Sequence, residues 1–536
     1  MGQSLNGMIK APCREACPAG VDVPRYVRYI KEGNYDQALA VIRERIPFPA
    51  VCAYACVHPC EAKCARRQYD EPVAIRLLKR AAVEKGKDTW LEKVKPAAAT
   101  GKKAAVIGAG PCGLTAAYYL AGKGHQVTVF ESLPSPGGML RYGIPEYRLP
   151  NQVVDKEVAV ISGRGVAIKT GVRVESAEKL LQEGYDAVFA ATGAWTGMKL
   201  GFEEGSAVMD GISYLQAVNS GSPPAIGQKV AVIGGGNTAI DAARASLRLG
   251  AREVVVLYRR TRAEMPANPE EVREAMEEGV RFEFLTAPKG MNKDGVTCVK
   301  MTLGAPDESG RPRPVPVEGS DFTVACDTLI AAVGQSADAP ALKLEGNANG
   351  TIKVDPASLA ASPKGVFAAG DAVTGPSSII RAIAQGRLAA SSIDQYLGGD
   401  GCIDEKLADE AAATLMDESP RGSLRPAVQT IPEGDRKAGF KLVEQGYDDL
   451  TAAGEANRCL SCDLRIFQVE VSFQICKECG YCQEVCSLEV FKISDTFNPS
   501  GYKPMTAAAA EKCMGCLRCL MVCPDFAITV NQAPGA

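Results

Sequence analysis

Two cysteine runs in this chain share one spacing: Cys476-x2-Cys479-x2-Cys482-x3-Cys486 and Cys513-x2-Cys516-x2-Cys519-x3-Cys523. Turns of two residues let successive thiolates converge on one metal centre. Paired runs of this kind hold two [4Fe-4S] cubes, and the fourth cysteine of each run serves the other cube. The expected ligand sets are therefore Cys476, Cys479, Cys482 with Cys523, and Cys513, Cys516, Cys519 with Cys486. Zinc is the competing occupant of closely spaced thiols. Pro524 follows the last cysteine of the second run, whereas Ser487 follows that of the first, a minor departure from the pattern.

Those two sets are full without Cys459 and Cys462 of "EANRCLSCDL" (455–464). The first hundred residues carry six more cysteines: Cys13 and Cys17 in "APCREACPAG", and Cys52, Cys56, Cys60 and Cys64 in "VCAYACVHPCEAKC". Six thiols are too many for one cube and too few for two; with the unplaced pair they make eight. A separate zinc or partner-binding knuckle is the alternative use of that pair. The whole chain has 20 cysteines and only 2 histidines. In a reducing compartment such cysteines are ligands or catalysts more often than disulfides. Acid–base chemistry built on imidazole is poorly supplied, and no catalytic side chain is expected. Cys298, Cys326 and Cys402 have no spaced partners and read as structural.

Elements that could feed electrons to such sites lie between the cysteine-rich ends. In residues 102–132 a strand runs into Gly108-x-Gly110-x-x-Gly113, then a helix, then a second strand ending in Glu131. Glycines there permit a tight turn and close backbone approach to a pyrophosphate, the helix start offers free N–H groups, and the acid accepts from a ribose diol. The unit recurs in residues 228–267. There Gly234-x-Gly236 opens a helix beginning at Asn237, Ala239 replaces the third glycine, and the second strand ends in Tyr258, Arg259 and Arg260. Two guanidiniums in place of a carboxylate suit a 2′-phosphate, so NADPH fits better than NADH. A solvated face, or pairing with Glu264, is the competing reading of those arginines.

Two such units, the second inserted in the first, together with "GGMLRYGIPEYRLP" (137–150), "AATGAW" (190–195), "AAVGQ" (331–335) and "GVFAAGDAV" (365–373), resemble the glutamate synthase small subunit and its relatives. The electron-entry half of dihydropyrimidine dehydrogenase is similar too. The resemblance implies FAD on the first unit and NAD(P)H on the second. It places Gly138, Met139 and Arg141 by the flavin, Thr192, Gly193 and Gly334 at the nucleotide-binding turns, and Gly370 with Asp371 at the closing edge of the FAD site. Cys112, flanked by proline and glycine, reads as a small residue in a packed turn rather than a redox partner. In relatives, a segment ending EA-x-RC-x-x-C comes before the N-terminal PC-x3-CP. Here "GFKLVEQGYDDLTAAGEANRCLSC" (439–462) looks like that segment relocated. The resemblance thus implies one cluster on Cys13, Cys64, Cys459 and Cys462 and another on Cys17, Cys56 and Cys60. For the last ligand, relatives use a Glu or Gln where this chain has Lys79, and an ammonium cannot ligate iron. Cys52 is the expected substitute; a cube on three protein sulfurs plus an outside ligand is the alternative.

The expected architecture is α/β: two Rossmann-like nucleotide-binding domains, preceded by a helical iron–sulfur domain and followed by an α+β bacterial-type ferredoxin domain. The boundaries read as helical iron–sulfur domain 1–100, FAD domain 101–197 and 329–400, NAD(P)H domain 198–328, helical linker 401–465 and ferredoxin domain 466–536. A net charge of −3 argues against a nucleic-acid surface. No apolar run is long enough to span a membrane, and no signal-peptide core opens the chain, so a cytoplasmic location is expected. The expected function is an NAD(P)H:acceptor oxidoreductase moving electrons through FAD and about four [4Fe-4S] clusters. The acceptor is soluble ferredoxin or a partner catalytic subunit in a hetero-oligomer, such as a 2-oxoacid oxidoreductase, hydrogenase or formate dehydrogenase. A glutamate synthase small subunit and an electron-bifurcating subunit are the alternatives.

Overall fold

A computed structural model of the chain describes residues 11–532 apart from 96, 203–207, 308–309, 338, 410–421, 465–466 and 514. It divides into two units. One comprises Met1–Lys95, Asp404–Val428 and Gly446–Ala536, the other Pro96–Ile403 and Gln429–Gln445. No helix among the described residues is long and apolar enough to cross a membrane.

The second unit is built on two parallel five-stranded sheets. The first runs Val366–Ala368, Ala187–Ala190, Lys103–Ile107, Gln126–Phe130, Ala167–Lys169 in spatial order. Its central strands read as unbroken apolar runs because helices cover both faces. Helix Ile379–Tyr396 packs on helix Pro111–Gly122. Gly386 permits this approach, since a Cβ there would lie 2.4 Å from the Cys112 carbonyl oxygen. The second sheet runs Val208–Asp210, Thr328–Ala331, Lys229–Ile233, Glu253–Tyr258, Arg281–Phe284. Thr328–Ala331 belongs to this sheet, so the expected domain boundary at 328–329 falls inside one of its strands and moves past Ala331. An antiparallel sheet of Thr286–Asn292, Gly295–Pro306, Pro312–Pro316 and Phe322–Val324 is interposed before that last strand.

The first unit opens with short helices. Val23–Lys31 is capped by Asp22 and carries Arg28 and Lys31 in its last turn, the charge placement a helix dipole favours. Tyr35–Arg43 is capped by Asn34. With Pro49–Ala55 and Ile75–Lys85 these helices bury Tyr26, Ile30, Ile42 and Leu78, and Phe48, which precedes the third of them, is buried with them. At the other end Phe467–Val471 pairs antiparallel with Ile528–Gln532, bringing the ends of the second cysteine-rich region together. The described residues of the expected helical linker 401–465 are mostly irregular. Among its described residues only Glu433–Lys437 and Asp449–Asn457 are α-helical, and its residues 410–421 lie outside the described ones. The proline-bearing connector 429–445 belongs to the nucleotide-binding unit, where the Val443 N–H donates to the Tyr147 carbonyl (3.0 Å) and Phe440 packs on the Tyr147 ring.

Candidate functional site

Both glycine turns are shaped to receive a pyrophosphate. Gly108 has φ +104°, and a Cβ on it would meet the Ala191 carbonyl oxygen at 2.5 Å. Gly110 starts helix Pro111–Gly122 without a side-chain cap, leaving first-turn N–H groups for an anion. Gly138 closes over it, since a Cβ there would lie 2.8 Å from the Gly110 Cα. Gly113 lies against the Gly108 carbonyl. Glu131 is buried and held at the strand end: Oε2 accepts from the Ala109 N–H and Oε1 from the Leu133 N–H, both 2.8 Å. A carboxylate has lone pairs left for a diol hydroxyl after such bonds. Arg141 braces the glycine loop by donating to the Pro136 carbonyl (2.9 Å) and pairing with Asp155. Met139 begins the short helix that follows Gly138. Thr192 accepts the Trp195 indole N–H through its carbonyl (2.9 Å), and Gly193 beside it has φ +77°. Gly370 precedes Asp371, whose carboxyl is pushed up by burial although the Ser377 hydroxyl donates to it at 2.8 Å. Cys112 is fully buried against Gly370, with its thiol pushed up by burial and then by Asp371, as a packed small residue is.

At the second turn a Cβ on Gly234 would lie 2.2 Å from the Ala332 carbonyl oxygen, whereas one on Gly236 would meet nothing within 4 Å. Gly236 is thus the open position of the turn, at the start of helix Asn237–Arg248, which also has no side-chain cap. Asn237 uses its amide oxygen to accept the Asn268 N–H (2.9 Å). Gly334 lies against the Met198 side chain. The arginine pair differs from expectation. Arg260 is buried, donating through Nε to the Pro312 carbonyl and pairing through Nη2 with Asp307, both at 2.8 Å. Only Arg259 is exposed and available to a 2′-phosphate. Arg259→Gln is expected to raise KM for NADPH about tenfold, from the loss of one charge-assisted hydrogen bond, and to leave KM for NADH nearly unchanged. Steady-state kinetics with both nucleotides check this.

The ferredoxin-like region encloses two cavities. One, of about 20 Å³, is lined by Cys486, Cys513, Cys516 and Cys519 with Leu488, Val490, Phe491 and Gln68. The other, of about 10 Å³, is lined by Cys476, Cys479, Cys482 and Cys523 with Met505 and Ile528. Each holds one of the crossed ligand sets. Burial, followed by the neighbouring thiols Cys476 and Cys479, pushes Cys482 up to about 11; burial with Cys516 and Cys513 pushes Cys519 up to about 12. Thiolates grouped this way repel one another unless a cationic core stands among them, which fits an iron–sulfur cube. Among the described residues no group of three or more His, Cys, Asp or Glu side chains is set to hold a single metal ion. Backbone N–H groups of Met505 and Ala527 donate to the Cys476 and Cys523 sulfurs at 3.4 and 3.3 Å, a contact that tunes cluster potential.

At the other end two thiol sets form. Cys13 is pushed far up by burial and then by Cys462, Cys64 and Cys459 in that order. Cys459 is pushed up to about 12 by burial, with Cys64 among its neighbours. Residues almost 400 positions apart or more therefore share one environment. In the second set Cys52 lies one helical turn before Cys56 and hydrogen-bonds with it, which lowers Cys56 to about 6. Cys17 and Cys60 face the same pair, and Lys79 is buried among all four. Tyr26 stands between the sets, its neighbours including Cys60, Cys13 and Cys17 and its hydroxyl donating to the Ile75 carbonyl (3.2 Å).

Several residues that hold this arrangement were not singled out by the sequence reading. Arg28 forms a two-pronged pair with Asp463 at 2.9 Å for each bond. Glu455 accepts the Ala74 N–H (2.6 Å), and Arg458 joins it to Asp70 (2.9 Å) and the Glu71 carbonyl (2.6 Å). The Glu and Arg of "EANRC" are thus a clamp, a role their fixed positions before Cys459 could have suggested. Gln68 bridges to the ferredoxin-like region, bonding to Ser487 and accepting from Arg518 (3.2 Å). Beside it Ala65 and Leu460 form a small apolar core that touches both Cys462 and Cys516.

Three family models cover the chain: pyridine nucleotide-disulphide oxidoreductase over residues 102–386, dihydropyrimidine dehydrogenase domain II with its 4Fe-4S cluster over 7–90, and a 4Fe-4S dicluster domain over 475–527. The NADP(+)-dependent formate dehydrogenase subunit beta of Moorella thermoacetica is 43% identical over 507 residues, 86% of this chain and 72% of that one. The NADPH-Fe(3+) oxidoreductase subunit beta of Geobacter sulfurreducens is 38% identical, covering 84% of this chain and 75% of its own length. The glutamate synthase [NADPH] small chain of Azospirillum brasilense is 35% identical, over 72% of this chain and 86% of its own.

Proposed function

From the premise that the chain belongs to the pyridine nucleotide-disulphide oxidoreductase family, with iron–sulfur domains at both ends, we propose that it is an electron-transfer subunit with four cysteine-held clusters in a fixed order. It is an NADPH-dependent oxidoreductase subunit that works with partner redox subunits, as its beta-subunit and small-chain relatives do. When bound, FAD accepts a hydride from the nicotinamide and releases electrons singly, which iron–sulfur clusters require.

The chain's own residues set the order. Cys17, Cys52, Cys56 and Cys60 form one terminus of the series, with Cys52 as the fourth ligand. Cys13, Cys64, Cys459 and Cys462 come next, joined to the first set through Cys60 and Tyr26. The apolar core that touches both Cys462 and Cys516 makes the set of Cys486, Cys513, Cys516 and Cys519 third. Cys476, Cys479, Cys482 and Cys523 form the last set. Cys479 is the exposed member of the sixteen ligands, so this set faces the outside. Exposed apolar side chains surround it: Phe473, Ile475 and Tyr481 flank its cysteines, and Phe526 follows Cys523. Asn498 ties the loop bearing exposed Phe497 to the same place by donating to the Phe473 and Cys476 carbonyls. An apolar collar around an exposed ligand is where a partner redox protein gains contact.

The observation that carries this reading is the shared core of Ala65 and Leu460, which puts ligands of two sets side by side. Metal analysis and anaerobic titration with NADPH test it. The protein is expected to hold about sixteen irons per chain, and NADPH alone should produce the electron paramagnetic resonance signals of reduced clusters. About eight irons, or clusters inert to NADPH, would overturn it.

A further inference from the structure

Lys79 is 6% exposed and lies on helix Ile75–Lys85 among thiols. Helix Pro49–Ala55, which carries Cys52 and is capped by Cys56, packs on this helix, and the thiols that bear on the ammonium are Cys52, Cys56, Cys17 and Cys60. Among the described residues no ion pair joins it to a carboxylate, unlike Arg66, Arg80 and Arg458 of the same unit, which pair with Asp70, Glu84 and both Glu455 and Asp70. A buried ammonium is costly unless a negative group stands beside it. Here that group is the thiolate set itself.

We propose that Lys79 is a built-in countercharge that raises the reduction potential of the cluster held by Cys17, Cys52, Cys56 and Cys60. The inference rests on the proposed four-cluster reading. A [4Fe-4S] core with four cysteine thiolates gains one negative charge when it accepts one electron. A fixed cation buried beside the cluster stabilises the more negative state more than the less negative one, and burial keeps water from screening the difference. Lys79 acts through the cluster's field and is a positioning residue. It makes this set the more readily reduced of the two sets that include the N-terminal cysteines, a site where electrons arriving singly are held before they move on.

The test is a redox titration of the whole protein, followed by electron paramagnetic resonance, for wild type and for Lys79→Met, Lys79→Gln and Lys79→Arg, with iron counted in each. Lys79→Met and Lys79→Gln should lower the midpoint of one cluster by the equivalent of at least a tenfold change in its one-electron equilibrium, about 59 mV, with the iron count unchanged. Lys79→Arg should stay near wild type. Equal midpoints in all four proteins overturn the inference, as does an arginine variant that shifts as far as the neutral ones. If the neutral variants lose four irons and Lys79→Arg keeps them, the countercharge is needed even to gather the thiolates, and the inference stands. If all three variants lose them, Lys79 serves packing alone and the inference falls. A wild-type protein that lacks the cluster would instead contradict the four-cluster reading.

Discussion

Replacing Cys459 and Cys462 together by serine removes one cluster, about four irons of about sixteen, and cuts NADPH-driven reduction of the ferredoxin-like clusters to a small residue. In the proposed order the pair contributes half of a ligand set whose other half is Cys13 and Cys64, and that set stands between the thiols beside Lys79 and the cavity that contains Cys516. Its loss therefore breaks the series in the middle. Flavin reduction by NADPH should survive, because the nucleotide-binding unit contributes none of these ligands. Stopped-flow spectroscopy separates the two steps: flavin bleaching persists and the later cluster signal disappears. Unchanged iron content and cluster signals would show that the two cysteines do not ligate. The ionic clamp from Arg28 to Asp463 and from Arg458 to Asp70 does not depend on the cysteines, so the segment should stay docked in the double variant.

The second large effect is on stability. Glu278 is buried and pairs with Arg244 (2.6 Å) and Arg248 (2.7 Å), both themselves buried and both lying over the Tyr147 ring. Glu278→Ala leaves Arg248 with no carboxylate and takes one from Arg244, which keeps Glu271 and Glu274. Breaking a buried ion pair from one side costs about 3–5 kcal/mol. The urea transition of the nucleotide-binding unit should move to lower concentration by that amount, and a loss below about 1 kcal/mol would contradict the assignment. Both arginines sit on helix Asn237–Arg248, whose first turn faces the open glycine position, so NADPH affinity should fall with stability. Burial pushes the Glu278 carboxyl up, but Arg248 and Arg244 outweigh it and hold it below its ordinary value. Its contribution is thus complete above the ordinary carboxylate range and is lost as pH falls through the depressed native value. Glu278→Ala should therefore flatten the acid limb of the stability profile.

What the sequence made legible follows the distance over which each feature is determined. The two crossed sets at Cys476–Cys523 were readable because spacing within a short turn decides which sulfurs meet, and the two cavities hold those groups. The glycine turns were readable for the same reason. The proposed union of Cys13 and Cys64 with Cys459 and Cys462 has no local spacing to announce it; a count of unplaced thiols and a resemblance to a relocated segment point to it, and the shared environment of the four thiols supports it. Arg260 was misread because its partner, Asp307, stands 47 residues on in an antiparallel sheet that no motif announced. The boundary near Thr328 was misplaced because a parallel sheet takes its last strand from beyond that interposed sheet. Polar composition reads the segment 401–465 as helical, whereas its described residues are mostly irregular and are held by side-chain bonds to the first hundred residues, such as Arg425 to Glu61.

The clamp between Glu455, Arg458 and residues 70–74 also bears on how the protein is made. A ribosome releases Cys13 and Cys64 long before it reaches codon 459, so the proposed cube on these four residues is completed only once residue 462 has been made. A chain cut short upstream of residue 459 would emerge with half of that socket, which makes metal insertion a check that synthesis has passed this segment.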